Sequence, residues 1–415
     1  MKNERTTKGM TELLYENDSY LFEFEAGVIL AEEIEDNAVK YMGIVLDRTA
    51  FFPEGGGQTG DVGILECEKG SVRILDCRTI DGRVLHFADR DEAVRLNITS
   101  GSRVRGRVDA SVRMAKMQNH SGEHLLLAMI HNTYGYDNIG FHMDENRVVF
   151  DIDGLLDADS LKILESKANE AIALNLPITV SYPEEEELEH ISYRSKLELN
   201  DGVRLVSIEG LDICACCAPH VNATGAIEAI KIIDSFPHRG GTRITMIAGR
   251  RAYEDYQALA EANAAICELL SSKRYETVAN VRRIVEKNLE LTADCNALKK
   301  EIADIYAEKL LKERETLNGK PLLVFTESLD TVQLRNVLNK CSSGYKGITA
   351  GFIGSGENYN YIVTADDALY NGSLKDLAGI ISEALCGRGG GSNKMIQGQV
   401  CADEVRIREF FRNLP

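Results

Sequence analysis

Histidine is scarce in this chain, eight among 415 residues, so the places where it does occur are informative. Long apolar runs are missing. None approaches the roughly 20 residues that a membrane-spanning helix needs, and no transmembrane segment is expected. The opening MKNERTTKGMTELLYEN is charged and lacks the apolar core of a signal peptide, which makes the cytoplasm the expected location. Positive charge is in deficit: 47 Lys and Arg against 65 Asp and Glu leave a formal net charge of −18. That excludes promiscuous attachment to nucleic acid, because like charge repels phosphate. A specific RNA stays open through local basic runs. One comprises Arg103, Arg105, Arg107, Arg113 and Lys116, another Arg239, Arg243, Arg250 and Arg251. Solvated surface charge is the simpler reading of either run. Regular cysteine spacing is also missing, apart from the cluster Cys214, Cys216 and Cys217 among ten cysteines. Metal ligation explains that cluster better than a disulfide does.

At this length the chain exceeds a single core. Residues 1–110 alternate β-type runs (Tyr41 to Leu46, Val72 to Leu75, Val84 to Phe87) with Gly- and Asp-Gly turns, which predicts a small antiparallel sheet or barrel. Residues 111–250 predict an α+β region. A helix spans about 111–133, and strands lie near Phe141 and Val148 to Ile152. A helix from Ser160 to Leu174, capped by Asp159 or Ser160, precedes strands at Ile178 to Tyr182, Val203 to Ile208 and Ile227 to Asp234. Residues 251–318 are helical, with a break at Ser271 to Arg274. Tyr256, Leu259, Asn263, Ile266 and Leu270 form one seam. Ile284, Asn288, Leu291, Cys295, Leu298, Ile302 and Ile305 form a second. Such a seam must bury itself against the other helix or a second subunit, so a spacer hairpin and a homodimer arm both fit. Residues 319–415 alternate strand and helix as a small α/β domain.

Three of the eight histidines fall in two short pairs. His120 and His124 sit four apart in HSGEH, and Cys216 and His220 four apart in CCAPH. Positions four apart on a helix share a face one turn apart, so His120 and His124 can offer two nitrogens to one ion. His131 shares that face but lies about 10 Å along the axis, too far to join. Pro219 and its small neighbours predict an extended turn, with Cys216 and His220 closing on the helix as a clip. Cys214 is a substitute ligand. Three imidazoles and a thiolate make a full tetrahedral Zn2+ set, structural if closed and catalytic if a position stays open. Glu123 supplies a rival, because HSGEH also fits the H-x-x-E-H pattern of inverted zinc peptidases, with glutamate as base. That reading needs a carboxylate as its third ligand, such as Glu198, and has no use for Cys216 and His220.

Two glycine-rich segments remain. FFPEGGGQTGDVG, Phe51 to Gly63, lets backbone approach a ligand through Gly55, Gly56 and Gly57, and Gln58 adds an amide. CGRGGGSNKMIQG, Cys386 to Gly398, can offer backbone N–H groups to phosphate through Gly389, Gly390 and Gly391, with Arg388 and Lys394 adding charge. It matches neither the P-loop nor the dinucleotide fingerprint. Each segment also reads as a tight structural turn.

PEGGGQTGDVG on a barrel, HSGEHLL, and Cys-x3-His followed by Val221 together resemble the editing domain of alanyl-tRNA synthetases. Free-standing AlaX-type alanyl-tRNA editing proteins are the nearest form of that family. GRGGGSNKMIQG resembles the Gly-rich motif of the C-terminal domain shared by alanyl-tRNA synthetases and DHH-type phosphodiesterases. The resemblance covers nearly the whole chain, in the long form of the family. It implies a multidomain α+β protein: a β-barrel at 1–110, a zinc editing domain at 111–250, a helical linker at 251–318 and a tRNA-binding α/β domain at 319–415. It implies Zn2+ on His120, His124, Cys216 and His220, and hydrolysis of alanine tRNA wrongly esterified with serine or glycine. Gln58, Gly56 and Gly57 would meet the substrate, and Arg388, Gly389, Gly390, Gly391 and Lys394 the tRNA body. No aminoacylation domain precedes the barrel, and no Asp-His-His triplet exists, so neither tRNA charging nor phosphodiester hydrolysis is expected. One departure stands out: Cys217, Ala218 and Pro219 replace the small Gly-Gly-Thr triplet usual between Cys and His.

Overall fold

The structure is a computed structural model and describes residues 11–195, 203–317, 319–369 and 371–414. The chain divides into two compact units, Met1–Asn263 and Ala264–Pro415.

The first unit begins with six antiparallel strands: β1 (Glu23–Asp36), β2 (Val39–Leu46), β3 (Gly63–Cys67), β4 (Gly70–Ile80), β5 (Arg83–Asp89) and β6 (Arg103–Val108). They pair in the order β1-β2-β5-β4-β3-β6, and β6 returns to β1, so the sheet closes into a barrel without a free edge. β6 shows why the sequence does this. In Arg-Val-Arg-Gly-Arg-Val, Val104, Gly106 and Val108 point inward and Arg103, Arg105 and Arg107 outward. The interior is filled by Val28, Ile44, Leu65, Val72, Ile74 and Val104. The basic run read from the sequence therefore splits. Its first three arginines are outside the barrel, where Arg105 pairs with Glu23 and Arg107 with Glu66. Arg113 and Lys116 belong to the next element and are buried.

That element is α1 (Ala110–Tyr134), capped by Asp109, whose carboxylate accepts from the Ser111 and Val112 amides. It lies against a four-stranded antiparallel sheet made of β7 (Asn138–Met143), β8 (Val148–Ile152), β12 (Ile230–His238) and β13 (Gly241–Ala248), in the order β12-β13-β8-β7. Between them run α2 (Ala158–Ala173) and a smaller sheet of β9 (Ile178–Ser181), β10 (Leu205–Ile208) and β11 (Asp212–Ala215). Leu125, Leu126, Ile130, Phe150, Leu164, Ile244 and Met246 form the core of this second layer. The cap of α2 is Asp157, two residues before the expected one, because its side chain already holds the Ser160 amide. The strand expected from Ile227 begins at Ile230, since Thr224–Ile227 form a 3-10 turn.

α3 (Arg250–Leu270) leads out of the first unit. The second unit contains the 41-residue α4 (Thr277–Leu317), β14 (Leu322–Thr326), α5 (Thr331–Ser342), β15 (Thr349–Ser355), β16 (Asn358–Thr364), α6 (Leu374–Ala384), β17 (Arg388–Gly391), β18 (Met395–Cys401) and α7 (Glu404–Arg412). The five strands order as β14-β15-β16-β18-β17, with only β14 and β15 parallel. Ala303, Ala307 and Leu310 of α4 are buried in a core with Leu334 and Val337 of α5, while Ile284, Leu291, Leu298 and Ile305, seven apart, are exposed.

Two buried polar groups govern the first unit. The Arg113 guanidinium has no exposed surface. It binds Asp61 through Nε at 2.8 Å and through Nη2, and it donates to the Ala50 and Ser19 carbonyls. Removing one partner of such a pair strands the other charge, at a cost of about 3–5 kcal/mol. Arg113→Met should lower the unfolding free energy of the first unit by about that amount in a urea titration; a loss below about 1 kcal/mol would contradict a buried, uncompensated Asp61.

His86 is enclosed in the barrel wall. Its Nδ1–H donates to the Ile44 carbonyl at 2.9 Å and its Nε2 accepts from the Thr49 hydroxyl at 2.8 Å, so the neutral ring is satisfied. Burial drives its pKa down to about 4 from an ordinary 6.5, with the Ile44 bond opposing only in part. The unfolded chain therefore binds more protons than the folded one between pH 6.5 and 4. The contribution is complete above pH 6.5 and disappears as pH falls through that window, by about 3 kcal/mol in all. The stability difference between wild type and His86→Gln should shrink by that order between pH 7 and pH 4, read from paired denaturation curves. A difference independent of pH would refute it.

Candidate metal centre

The centre is assembled from opposite sides of α1. Arg113, Lys116, His120 and His124 fall at intervals of three, four and four, which keeps them within one helical stripe about 16 Å long. The first two hold the glycine-rich loop. Arg113 grips Asp61, and Lys116 Nζ donates to the Thr59 and Gly60 carbonyls. Burial pulls the Lys116 ammonium below its ordinary pKa, against the opposing attraction of Asp61. The loop itself turns tightly at Gly56 and Gly57, with φ of +59° and +84°, and Gly55 and Gln58 exchange both backbone hydrogen bonds. A side chain at Gly57 would meet the Phe141 ring 2.6 Å away, so only glycine lets the loop close on β7. The loop delivers Gln58, whose Oε1 accepts from His120 Nδ1 at 2.8 Å.

The other half comes from the turn after β11. Ser121, the neighbour of His120, places its hydroxyl 3.0 Å from His220 Nδ1 and accepts from the Val221 amide. Both bonds occupy the Nδ1 atoms, which leaves Nε2 of His120 and of His220 to face the thiol. Cys216 Sγ lies 3.5 Å from His120 Nε2 and 3.3 Å from His220 Nε2. The His124 ring centroid is 5.1 Å from that of His120 and 4.6 Å from that of His220. One ligand atom from each of the four residues lies within 4.8 Å of all the others.

A tetrahedral zinc with bonds of about 2.1 Å to nitrogen and 2.3 Å to sulfur has ligand edges of roughly 3.5 Å. The donor set and its spacing fit that ion. Burial, reinforced by the Cys217 thiol, pushes Cys216 up to about 12, so it is a thiol as the protein stands. A cation there would deprotonate it outright.

The other sequence candidates are elsewhere. Cys214 is in β11, its thiol pointing to its neighbour's carbonyl, and outside the cluster. His131 is beside Asp137 at 2.9 Å. Glu123 is buried, takes a hydrogen bond from Asn138 Nδ2 at 2.7 Å, and lies 4.0 Å from His124. Glu198 lies outside the described residues. Gln58 has no exposed surface, so its carbonyl orients His120 and only Nε2, which has no protein partner, is left to give. Cys217 faces the loop, 3.8 Å from where a side chain at Gly56 would begin, and Ala218 is buried with Tyr15 and Phe52. The sequence reading placed Arg113 and Lys116 in a basic surface run rather than at this centre, and missed Ser121. Asp212, 3.9 Å from His124 and clamped by Arg194 through two bonds of 2.8 and 2.6 Å, was also missed. A cavity of about 680 Å3 is lined by Asn138, Arg194 and Asp212 and so reaches the groups around Glu123 and His124.

The C-terminal glycine segment is an edge strand, β17, rather than a loop. Gly389 and Gly398 are small because Tyr361 lies beneath them, its hydroxyl where a Gly389 side chain would begin. β17 is exposed, with Arg388 bonded to Gln399 and Lys394 paired with Asp367.

The first unit is thus a barrel docked through a glycine-rich loop on an α+β layer that carries a His3Cys cradle. The family model of class II (A) tRNA synthetases matches residues 2–112. The model of the threonyl and alanyl tRNA synthetase second additional domain matches residues 203–249, which include Cys216 and His220. The resemblance to long-form alanyl-tRNA editing proteins runs the length of the chain. The alanyl-tRNA editing protein AlaX-L of Pyrococcus horikoshii is 23% identical over 410 residues, 97% of each chain. Alanine–tRNA ligases of Archaeoglobus fulgidus (27% identical, 94% of this chain, 42% of the ligase) and Haloquadratum walsbyi (29%, 79%, 35%) are also similar. The chain spans less than half the length of those ligases.

Gln58 holds the His120 tautomer, and loss of such a partner weakens metal binding about 10–100-fold. Gln58→Ala should show that loss against Co2+ titrated into the metal-free protein. An unchanged isotherm would sever the glycine loop from the centre.

Proposed function

We propose that this protein is a cytoplasmic trans-editing hydrolase that deacylates alanine tRNA misacylated with serine, and with glycine as a second substrate. The observation that carries the reading is the convergence of His120, His124, Cys216 and His220 beside the glycine-rich loop. It occurs in a chain similar along 97% of its length to an alanyl-tRNA editing protein. Zn2+ held by these four residues would supply Lewis-acid chemistry, polarising an ester carbonyl and stabilising charge on its oxygen.

The chain's own groups do the rest. Gln58 Oε1 and the Ser121 hydroxyl hold two imidazoles in the orientation a metal requires, and the Gln58 Nε2 donor is the polar group left over beside them. Gly56 keeps a side chain out of the space before Cys217, where the aminoacyl end would lie, and Gly57 lets the loop close on Phe141 beside it. A donor there pairs with the serine hydroxyl and is left unpaired by alanine, which is the direction of discrimination an editor needs. The tRNA body would lie along β17, with Arg388 and Lys394 at its rim and Gly389, Gly390 and Gly391 admitting a phosphate backbone. The exposed heptad seam of α4 suits a second copy of the chain as partner. Among the described residues no helix is long and apolar enough to cross a membrane.

The peptidase reading is the weaker one. It needs Glu123 free to serve as base and a carboxylate as third ligand, whereas Glu123 is buried against Asn138 and a thiol and an imidazole complete the cluster.

Alanine tRNA charged with serine, glycine or alanine should be deacylated in that order of preference, with alanine spared. Cys216→Ala and His124→Ala should each lose at least about 100-fold in kcat/KM, and Glu123→Gln much less. Equal hydrolysis of all three esters, or full activity in both ligand variants, would overturn the assignment.

A further inference from the structure

The Cys216–His220 turn belongs to no sheet or helix, so its backbone groups need partners from elsewhere. Arg204 provides them. Its Nη1 donates to the Cys216 carbonyl at 2.7 Å and to the Ala218 carbonyl at 2.9 Å, and its own carbonyl accepts from the Cys216 amide at 3.0 Å. One residue thus ties three backbone groups of the turn, two of them on the candidate ligand Cys216 itself. The side chain is only 7% exposed. It is a guanidinium whose nearby acid is the half-buried Glu16, not an ion-pair partner in contact. A buried cation spent on two carbonyls is costly unless the geometry of those carbonyls matters. Both bonds come from Nη1, whose two N–H directions are fixed by the planar guanidinium, whereas the Lys ammonium rotates its donors on a flexible stem and keeps no such geometry.

We propose that Arg204 is a positioning residue that sets the spacing and direction of Cys216 and His220 as a pair of metal ligands. The proposal rests on the metal-centre reading above. The Ser121 hydroxyl holds His220 from the helix, and Arg204 holds the backbone between the two candidate ligands. Without Arg204 the carbonyls of Cys216 and Ala218 lose their donor, and the turn relaxes. The thiolate then leaves the position 3.5 Å from His120 Nε2 and 3.3 Å from His220 Nε2 at which a tetrahedral ion could be gripped.

The test uses the full-length, metal-free protein and Co2+ alone, with Arg204→Met and Arg204→Lys as variants. Wild type should show tetrahedral Co2+ absorption with a thiolate-to-metal charge-transfer band. Both variants should bind Co2+ about 10–100-fold more weakly, with the charge-transfer band lost or displaced at temperatures where circular dichroism shows the fold intact. A merely structural role would lower the melting temperature and leave the spectrum of the folded protein untouched, and that result overturns the proposal. If Arg204→Met does not fold, Arg204→Lys decides, since it keeps the charge and a donor. If wild type itself binds no Co2+, the metal centre and the proposal fall together, a result distinct from normal binding in wild type and variants alike.

Discussion

The ion pair between Arg113 and Asp61 is the constraint on which the site depends. The first unit has two separate cores, one inside the barrel and one between α1 and its sheet. Neither core by itself determines where the loop from Phe51 to Asp61 meets the helix. Arg113 does, because its guanidinium reaches the carboxylate and two backbone carbonyls from a fully buried position. Lys116, one turn on, repeats the grip at Thr59 and Gly60. The next turn of the same stripe is His120, and Gln58, three residues before Asp61, arrives at its Nδ1. The rigid helix thus transmits the clamp to the candidate ligand His120. Buried charge is a poor source of stability compared with apolar packing of the same volume, so its presence here argues for register rather than strength.

The second half of the centre obeys the same logic with different groups. The turn after β11 is irregular, and irregular backbone near a buried site must be satisfied atom by atom. Ser121, Arg204 and the packing of Ala218 on Tyr15 and Phe52 do this. Three imidazoles and a thiol packed within 4.8 Å gain little from each other. Their mutual contact is maintained by partners on the outside of the cluster. An arrangement that depends on so many outward bonds is preorganised, and preorganised ligands lose less on binding an ion.

Much of this was legible in the chain and some was not, for physical reasons. Spacing of four exposes a shared helical face, so His120 and His124 could be paired on paper, whereas the alternation in Arg103 to Val108, a strand with one buried side, was read only as a basic run. Arg113 and Lys116 could not be separated from the arginines before them. Burial of a long cation depends on a carboxylate and carbonyls supplied from some 50 residues away, and nothing local records that. Gln58 reads as a contact for an outside ligand, yet its carbonyl is committed to His120. The glycines of β17 read as a flexible loop because the residue that demands them, Tyr361, is a cross-strand neighbour. Asp157 rather than Asp159 caps α2 because the local competition among acidic residues is decided by backbone geometry, which the sequence expresses only weakly.

The electrostatics bear on how an acidic protein could hold an RNA and still let it go. The cations of the two basic runs are largely engaged. Arg107 has Glu66 at 3.3 Å, Arg243 has Asp151 at 2.7 Å, and Arg250 and Arg251 share Glu254 at 3.2 and 3.0 Å. Lys394, on the hairpin of β17, has Asp367 at 2.9 Å. Exposed pairs of this kind cost little to open, but a polyanion must open them one by one. The two basic runs are therefore no sink for phosphate, while the net charge of −18 keeps the protein as a whole repellent to it. For an enzyme of the proposed kind that balance is useful. Its product is the same tRNA lacking one amino acid, so attraction to the tRNA body cannot distinguish product from substrate, and tight binding there would only slow release. Discrimination in such an enzyme has to come from the few groups that meet the acylated end, and on the proposed reading those are the buried polar contacts around the candidate metal centre.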